Sequence, residues 1–68
     1  MNYEQKRLNI EENYLNGNIS DARAMFKKLP KVTRKILLSD TIGGTYYQMD
    51  SSLRLQTLKF VNFLIDSL

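Results

Sequence analysis

At 68 residues with neither cysteine nor histidine, the chain is one small domain (1–68) with no disulfide staple, no thiolate and none of the usual zinc or transition-metal ligands. Ten basic and seven acidic residues leave a net charge of +3, and the commonest general base near neutral pH is missing. No close-set group of Asp, Glu, Lys, Tyr and Ser stands in for it, so the composition predicts a protein that is not an enzyme and holds no cofactor or metal.

The opening residues, Met1 to Arg7, lack the apolar stretch of a signal peptide. The longest aliphatic or aromatic runs, 36–38 and 63–65, are three residues long, far short of a membrane span. A cysteine-free chain fits a reducing compartment, and the cytoplasm is the expected location.

Hydrophobic periodicity predicts an all-α domain of three or four short helices. The first covers 2–15, where Tyr3, Leu8, Ile10, Tyr14 and Leu15 fall within one arc of the wheel. Glu4, Arg7 and Glu11 share that arc at spacings that let the arginine bridge both acids. Two readings follow: a salt-bridged strip at the edge of the core, or a polar contact that fixes a partner helix. Asn16-Gly17-Asn18 stops the helix, with glycine suited to a left-handed cap. Asn18 or Ser20 caps the next one, which runs to 29 with Ile19, Ala22, Phe26 and Leu29 on one side.

Pro30 ends this helix and opens the third, whose expected buried face is Val32, Ile36, Leu37 and Leu38. Gly43-Gly44 is read as the stop of the third helix near Thr41 or Ile42. Residues 45–49 then form a loop or turn whose tyrosines, Tyr46 and Tyr47, fold back on the core with wet hydroxyls. Asp50 or Ser51 caps the last helix, which reaches Leu68 or close to it. Its apolar residues are Leu53, Leu55, Leu58, Phe60, Val61, Phe63, Leu64, Ile65 and Leu68. They span well over half the wheel, more than the stripe of a surface helix. The last helix is therefore central to the fold or shared with another chain.

Two features bear on function. Arg23, Lys27, Lys28, Lys31, Arg34 and Lys35 lie within thirteen residues, with no acid between Asp21 and Asp40. Such a basic segment can be a solvated face, a surface that steers an acidic protein partner, or a neutraliser of nucleic-acid phosphates. A helix-turn-helix is a poor fit, because that motif usually has a glycine-containing turn and a recognition helix that offers more than Thr33 beside its arginines for base edges. The second feature is the terminal helix. Its excess apolar surface is either core or an interface centred on Leu53, Phe60, Phe63 and Leu64, in self-association or with another protein. Its polar face has only Arg54 and Lys59 against Asp66, too little charge to hold an anionic membrane. Gly43-Gly44-Thr45 lacks the spacing and lysine of a phosphate loop. If nucleic acid is bound, Tyr46 or Tyr47 can stack on a base.

The stretch Tyr14-Leu-Asn-Gly-Asn-Ile-Ser-Asp-Ala-Arg23, followed by Lys27-Lys28-Leu29, resembles short helical proteins of bacteriophages and mobile elements. That resemblance implies an origin of this kind and action by binding a host or viral component. The function expected is that of a non-catalytic adaptor, inhibitor or regulator docking on another macromolecule through its basic surface and apolar last helix. The alternative is a nucleic-acid-binding accessory protein that contacts phosphates through the same basic residues.

Overall fold

The computed structural model describes the backbone from Tyr3 to Leu68 and the side chains from Glu4 onward. Four α-helices follow one another: α1 (Tyr3–Leu15), α2 (Ile19–Lys27), α3 (Lys31–Tyr46) and α4 (Ser51–Asp66). There is no strand among the described residues. Asn2, read as part of the first helix, and the side chain of Tyr3, placed on its apolar arc, lie outside the described residues.

Local chemistry sets the joints. Gly17 sits at φ 85°, with its N–H on the Tyr14 carbonyl at 3.1 Å and the Asn18 N–H on the Asn13 carbonyl at 2.8 Å. This pair of bonds is the Schellman arrangement that closes a helix through a left-handed glycine. Pro30 lies at the N-cap position of α3, where its missing N–H costs nothing. Asp50 caps α4 with its side chain, Oδ1 accepting from Ser52 N at 2.8 Å and Leu53 N at 3.1 Å. Asn18 occupies the equivalent place before α2 but makes no side-chain cap bond.

The core joins all four helices through Ile10, Ala22, Phe26, Leu37, Phe60, Phe63 and Leu64, with Tyr14, Met25, Leu29 and Leu38 packed around them. Tyr14 lies 5.3 Å from the Phe60 ring and 4.8 Å from the Phe63 ring, centroid to centroid, within the range of favourable tilted pairs. Among the described residues, helix α4 supplies four of the eight buried hydrophobics, so its central place in the fold is as the sequence suggested. The radius of gyration is 11.3 Å, close to the roughly 11 Å expected of a folded chain of this length.

Three expectations need correction. Helix α3 does not stop at Thr41 or Ile42 but passes through Gly43 and Gly44 to Tyr46. The buried row Leu37, Thr41 and Thr45 carries it, at the i, i+4, i+8 spacing of one helix face. The Thr41 and Thr45 hydroxyls donate to the Leu37 and Thr41 carbonyls at 2.8 and 3.0 Å, which makes these polar side chains compatible with burial. That same row turns Val32 and Ile36 outward, and both are exposed. Tyr46 and Tyr47 do not fold back on the core. They are 81% and 86% exposed, because Thr45 occupies the inward position on the last turn of α3.

Candidate functional site

Helices α3 and α4 form an antiparallel hairpin closed at both ends by arginines. At the turn, Arg54 Nε and Nη2 donate to the Gln48 carbonyl at 3.1 and 2.6 Å. At the open end, Arg34 Nη1 reaches the Leu68 carbonyl at 3.5 Å. Between the two helices, on the side away from α1, runs an apolar groove of about 540 Å³ lined by Ile42, Thr45, Tyr46, Arg54, Leu58 and Val61. A separate, more open hollow beside it, lined by α3 alone through Lys35, Leu38, Ser39 and Ile42, shares Ile42 with the groove. No carboxylate lines either part. Beyond the groove, at the hairpin turn, Tyr47 and Met49 project into solvent, the methionine 89% exposed.

The opposite side of the hairpin has a different character. A polar cleft of about 490 Å³ is lined by Glu4, Arg7, Glu11, Asp40, Thr41, Gly44 and Thr57. Arg7 Nη1 donates to Glu11 Oε2 at 3.4 Å, the one ion pair among the described residues. Arg7 therefore pairs with one of the two acids that the sequence spacing offered. The cleft is the polar edge of the core. No group of three His, Cys, Asp or Glu placed to hold a metal ion occurs among the described residues.

The six basic residues singled out in the sequence do not share one role. Arg23 is held over the end of α4: its guanidinium carbon sits 5.6 Å from the Phe63 ring centroid, and Nε donates to Ser67 Oγ at 3.4 Å. Arg34 approaches the same helix end through Leu68. Two arginines at the negative end of the α4 dipole are favourably placed for the fold itself. Lys28 lines a shallow apolar recess between α1 and α2 with Lys6, Met25 and Leu29. Lys27, Lys31 and Lys35 are exposed, and none of the four lysines makes an ion pair with a described residue.

The four apolar residues nominated on the last helix also divide. Phe60, Phe63 and Leu64 are 1%, 8% and 0% exposed; they are occupied by the core, so an interface centred on them is corrected to an internal packing role. Leu53 is 48% exposed. What α4 leaves open is its other side, with Leu55, Leu58 and Ile65 exposed as well. Ile42, Tyr46, Leu58 and Val61, the apolar walls of the groove, were not singled out together from sequence. The signal was present, since Ile42 and Tyr46 are four apart and Leu58 and Val61 three apart. Reading the glycine pair as a helix stop separated Tyr46 from Ile42.

No described helix is long and apolar enough to cross a membrane. Compared with protein-family models, curated proteins and solved structures, the chain matches none.

Proposed function

We propose that this is a non-catalytic docking domain that binds another protein through the outer face of the α3–α4 hairpin. The observation that carries the reading is the apolar groove beside exposed Tyr46, Tyr47 and Met49. Among the described residues, eleven of the fourteen exposed large hydrophobics fall within α3, α4 and the segments beside them, so most of the unpartnered apolar surface lies on that half of the fold. Contiguous apolar surface of this kind marks binding sites, and tyrosine, methionine and arginine are the residues enriched in interface cores. In this reading the lysines before and within α3 accelerate and orient the encounter rather than supply the main contact. A cysteine-free domain suits the cytoplasm, and the likeness to phage and mobile-element proteins points to a host or viral component as the partner.

The rival reading is a nucleic-acid accessory protein, favoured by four lysines without ion-pair partners among the described residues. A photo-crosslinking amino acid at position 46, in the groove, and at position 28, on the α1–α2 side, separates the two in the native cell. Protein docking gives a protein adduct from position 46 and not from 28. Adducts to nucleic acid, or equal labelling from both positions, would overturn it.

A further inference from the structure

We infer that the occupant of the α3–α4 groove is a single amphipathic helix of the partner, apolar along one side and carrying carboxylates toward both of its ends. The inference rests on the protein-docking reading and adds the chemistry of the partner. Shape comes first. Both walls of the groove are helices, whose backbone groups are bonded internally, so there is no sheet edge for an added strand, and recognition must come from side chains. The groove itself follows α3 from Ile42 to Tyr46, and the adjoining hollow, lined by α3 alone, carries the same outer face back to Lys35. The two together follow α3 for eleven residues, roughly 17 Å at the helical rise. That is about three turns, the span over which a docked helix presents anchors at i, i+4 and i+7. Ile42, Leu58 and Val61 supply the apolar floor. Tyr46 stands at one end as a large side chain with few rotamers to lose.

Charge selects the partner further. Lys35 lies in the hollow that adjoins the groove, and Arg54 at the groove's far end beside Tyr46, where two of its donors rest on the Gln48 carbonyl and its positive charge stays without a carboxylate. Neither makes an ion pair with a described residue. The nearby acids are turned elsewhere: Asp40 lines the polar cleft across α3, and Asp50 is occupied as the cap of α4. A helix with a carboxylate near each end therefore meets a cation at each end, and one with lysines meets repulsion. The same placement argues against a second copy of this chain. Two-fold pairing of groove on groove would set Lys35 and Arg54 against one another or against themselves, and no carboxylate lines the groove or its adjoining hollow to relieve them.

Two fluorescein-labelled model helices test this by anisotropy. Both share the same leucine and isoleucine anchors at i, i+4 and i+7, and they differ only in Glu or Lys at the flanking positions. The acidic helix is expected to bind about tenfold more tightly at low salt, the sum of two rim pairs changed from repulsion to attraction, and the gap should shrink at high salt. Lys35→Glu should reduce that preference severalfold. Leu58→Glu should abolish binding while the helical circular dichroism is unchanged. Lys35 and Leu58 are both exposed, so neither variant removes a core contact. Equal binding of the two helices, or binding of neither, would overturn the acidic-helix assignment and leave the crosslinking result to decide the docking reading. A doubled molar mass that Leu58→Glu reverts to monomer would replace the helix by a second copy. Tight binding of a labelled oligothymidylate lost in Lys35→Glu would overturn both the helix and the protein-docking reading.

Discussion

Replacing Gly43 and Gly44 together by alanine is expected to stabilise the protein. Both lie inside α3, and Gly17 is the one glycine with a positive φ, so neither needs the freedom that glycine provides. A Cβ at either position meets no heavy atom within 4 Å, which removes the steric objection. Alanine is preferred over glycine in a helix interior by about 0.8–1 kcal/mol, mostly through the backbone entropy of the unfolded chain. The two side chains would point about 100° apart and share no neighbour, so the effects should add. The double variant should gain about 1.5–2 kcal/mol, or roughly 10 °C in Tm for a domain this small. Thermal and urea unfolding followed at 222 nm read the change directly. Gly17→Ala is the internal control. At φ 85° the same substitution should cost about 1 kcal/mol or more. If the double variant is unchanged or weaker while Gly17→Ala behaves as stated, α3 ends before Gly43 in solution. The wall formed by Ile42 and Tyr46 would then be lost with it.

Three further sets of substitutions test the packing, the capping and the sorting of charges. Phe60→Ala and Phe26→Ala each remove a fully buried ring and should cost about 3–5 kcal/mol, enough to leave a marginal domain largely unfolded at 25 °C by circular dichroism. Asp50→Ala deletes the two cap bonds of α4 and should lower the urea midpoint by about 1 kcal/mol equivalent with an unchanged m-value, while Asp50→Asn retains most of the cap. Arg23→Ala should lose about 0.5–1 kcal/mol through its contacts with Phe63 and Ser67, whereas Lys27→Ala should stay within about 0.5 kcal/mol of the parent by the same melts.

The legible part of the fold was the part written in local chemistry. Helical spacing, Asn16-Gly17-Asn18, Pro30 and Asp50 place the helix boundaries to within a residue or two, the end of α3 excepted, and the structure puts a cap or a turn at each of these points. The orientation of α3 was not legible, because its apolar residues contradict its packing. Val32 and Ile36 are strong hydrophobes that face solvent, while Thr41 and Thr45 are polar and buried. A hydrophobicity pattern cannot rank a threonine that bonds its own helix above an isoleucine. The glycine pair misled for a related reason: its local weakness is overridden by the burial of Thr45 one turn further on. The basic run was visible as charge, yet sequence proximity could not show that Arg23 and Arg34 turn toward the end of α4 and the lysines do not.

The surface of α4 follows from the size of the domain. Its apolar residues occupy more of the wheel than three short neighbours can cover. Helices α1 and α2 pack closely against each other, which leaves α3 as the near partner of α4. One side of α4 then buries Phe60, Phe63 and Leu64, and the other keeps Leu55, Leu58 and Ile65 in contact with water. An apolar face left open on so small a protein invites self-association. The cations on the hairpin oppose that outcome. Lys35 on α3 and Arg54 on α4 stand close to the exposed apolar residues, with no described carboxylate paired to them, so two copies approaching through this face bring like charges together. The same arrangement lowers the barrier for a surface that is apolar and acidic. If the docking proposal holds, one set of cations opposes self-association and favours an acidic partner, and charge reversal at Lys35 should move both, raising self-association as it weakens binding of the acidic helix.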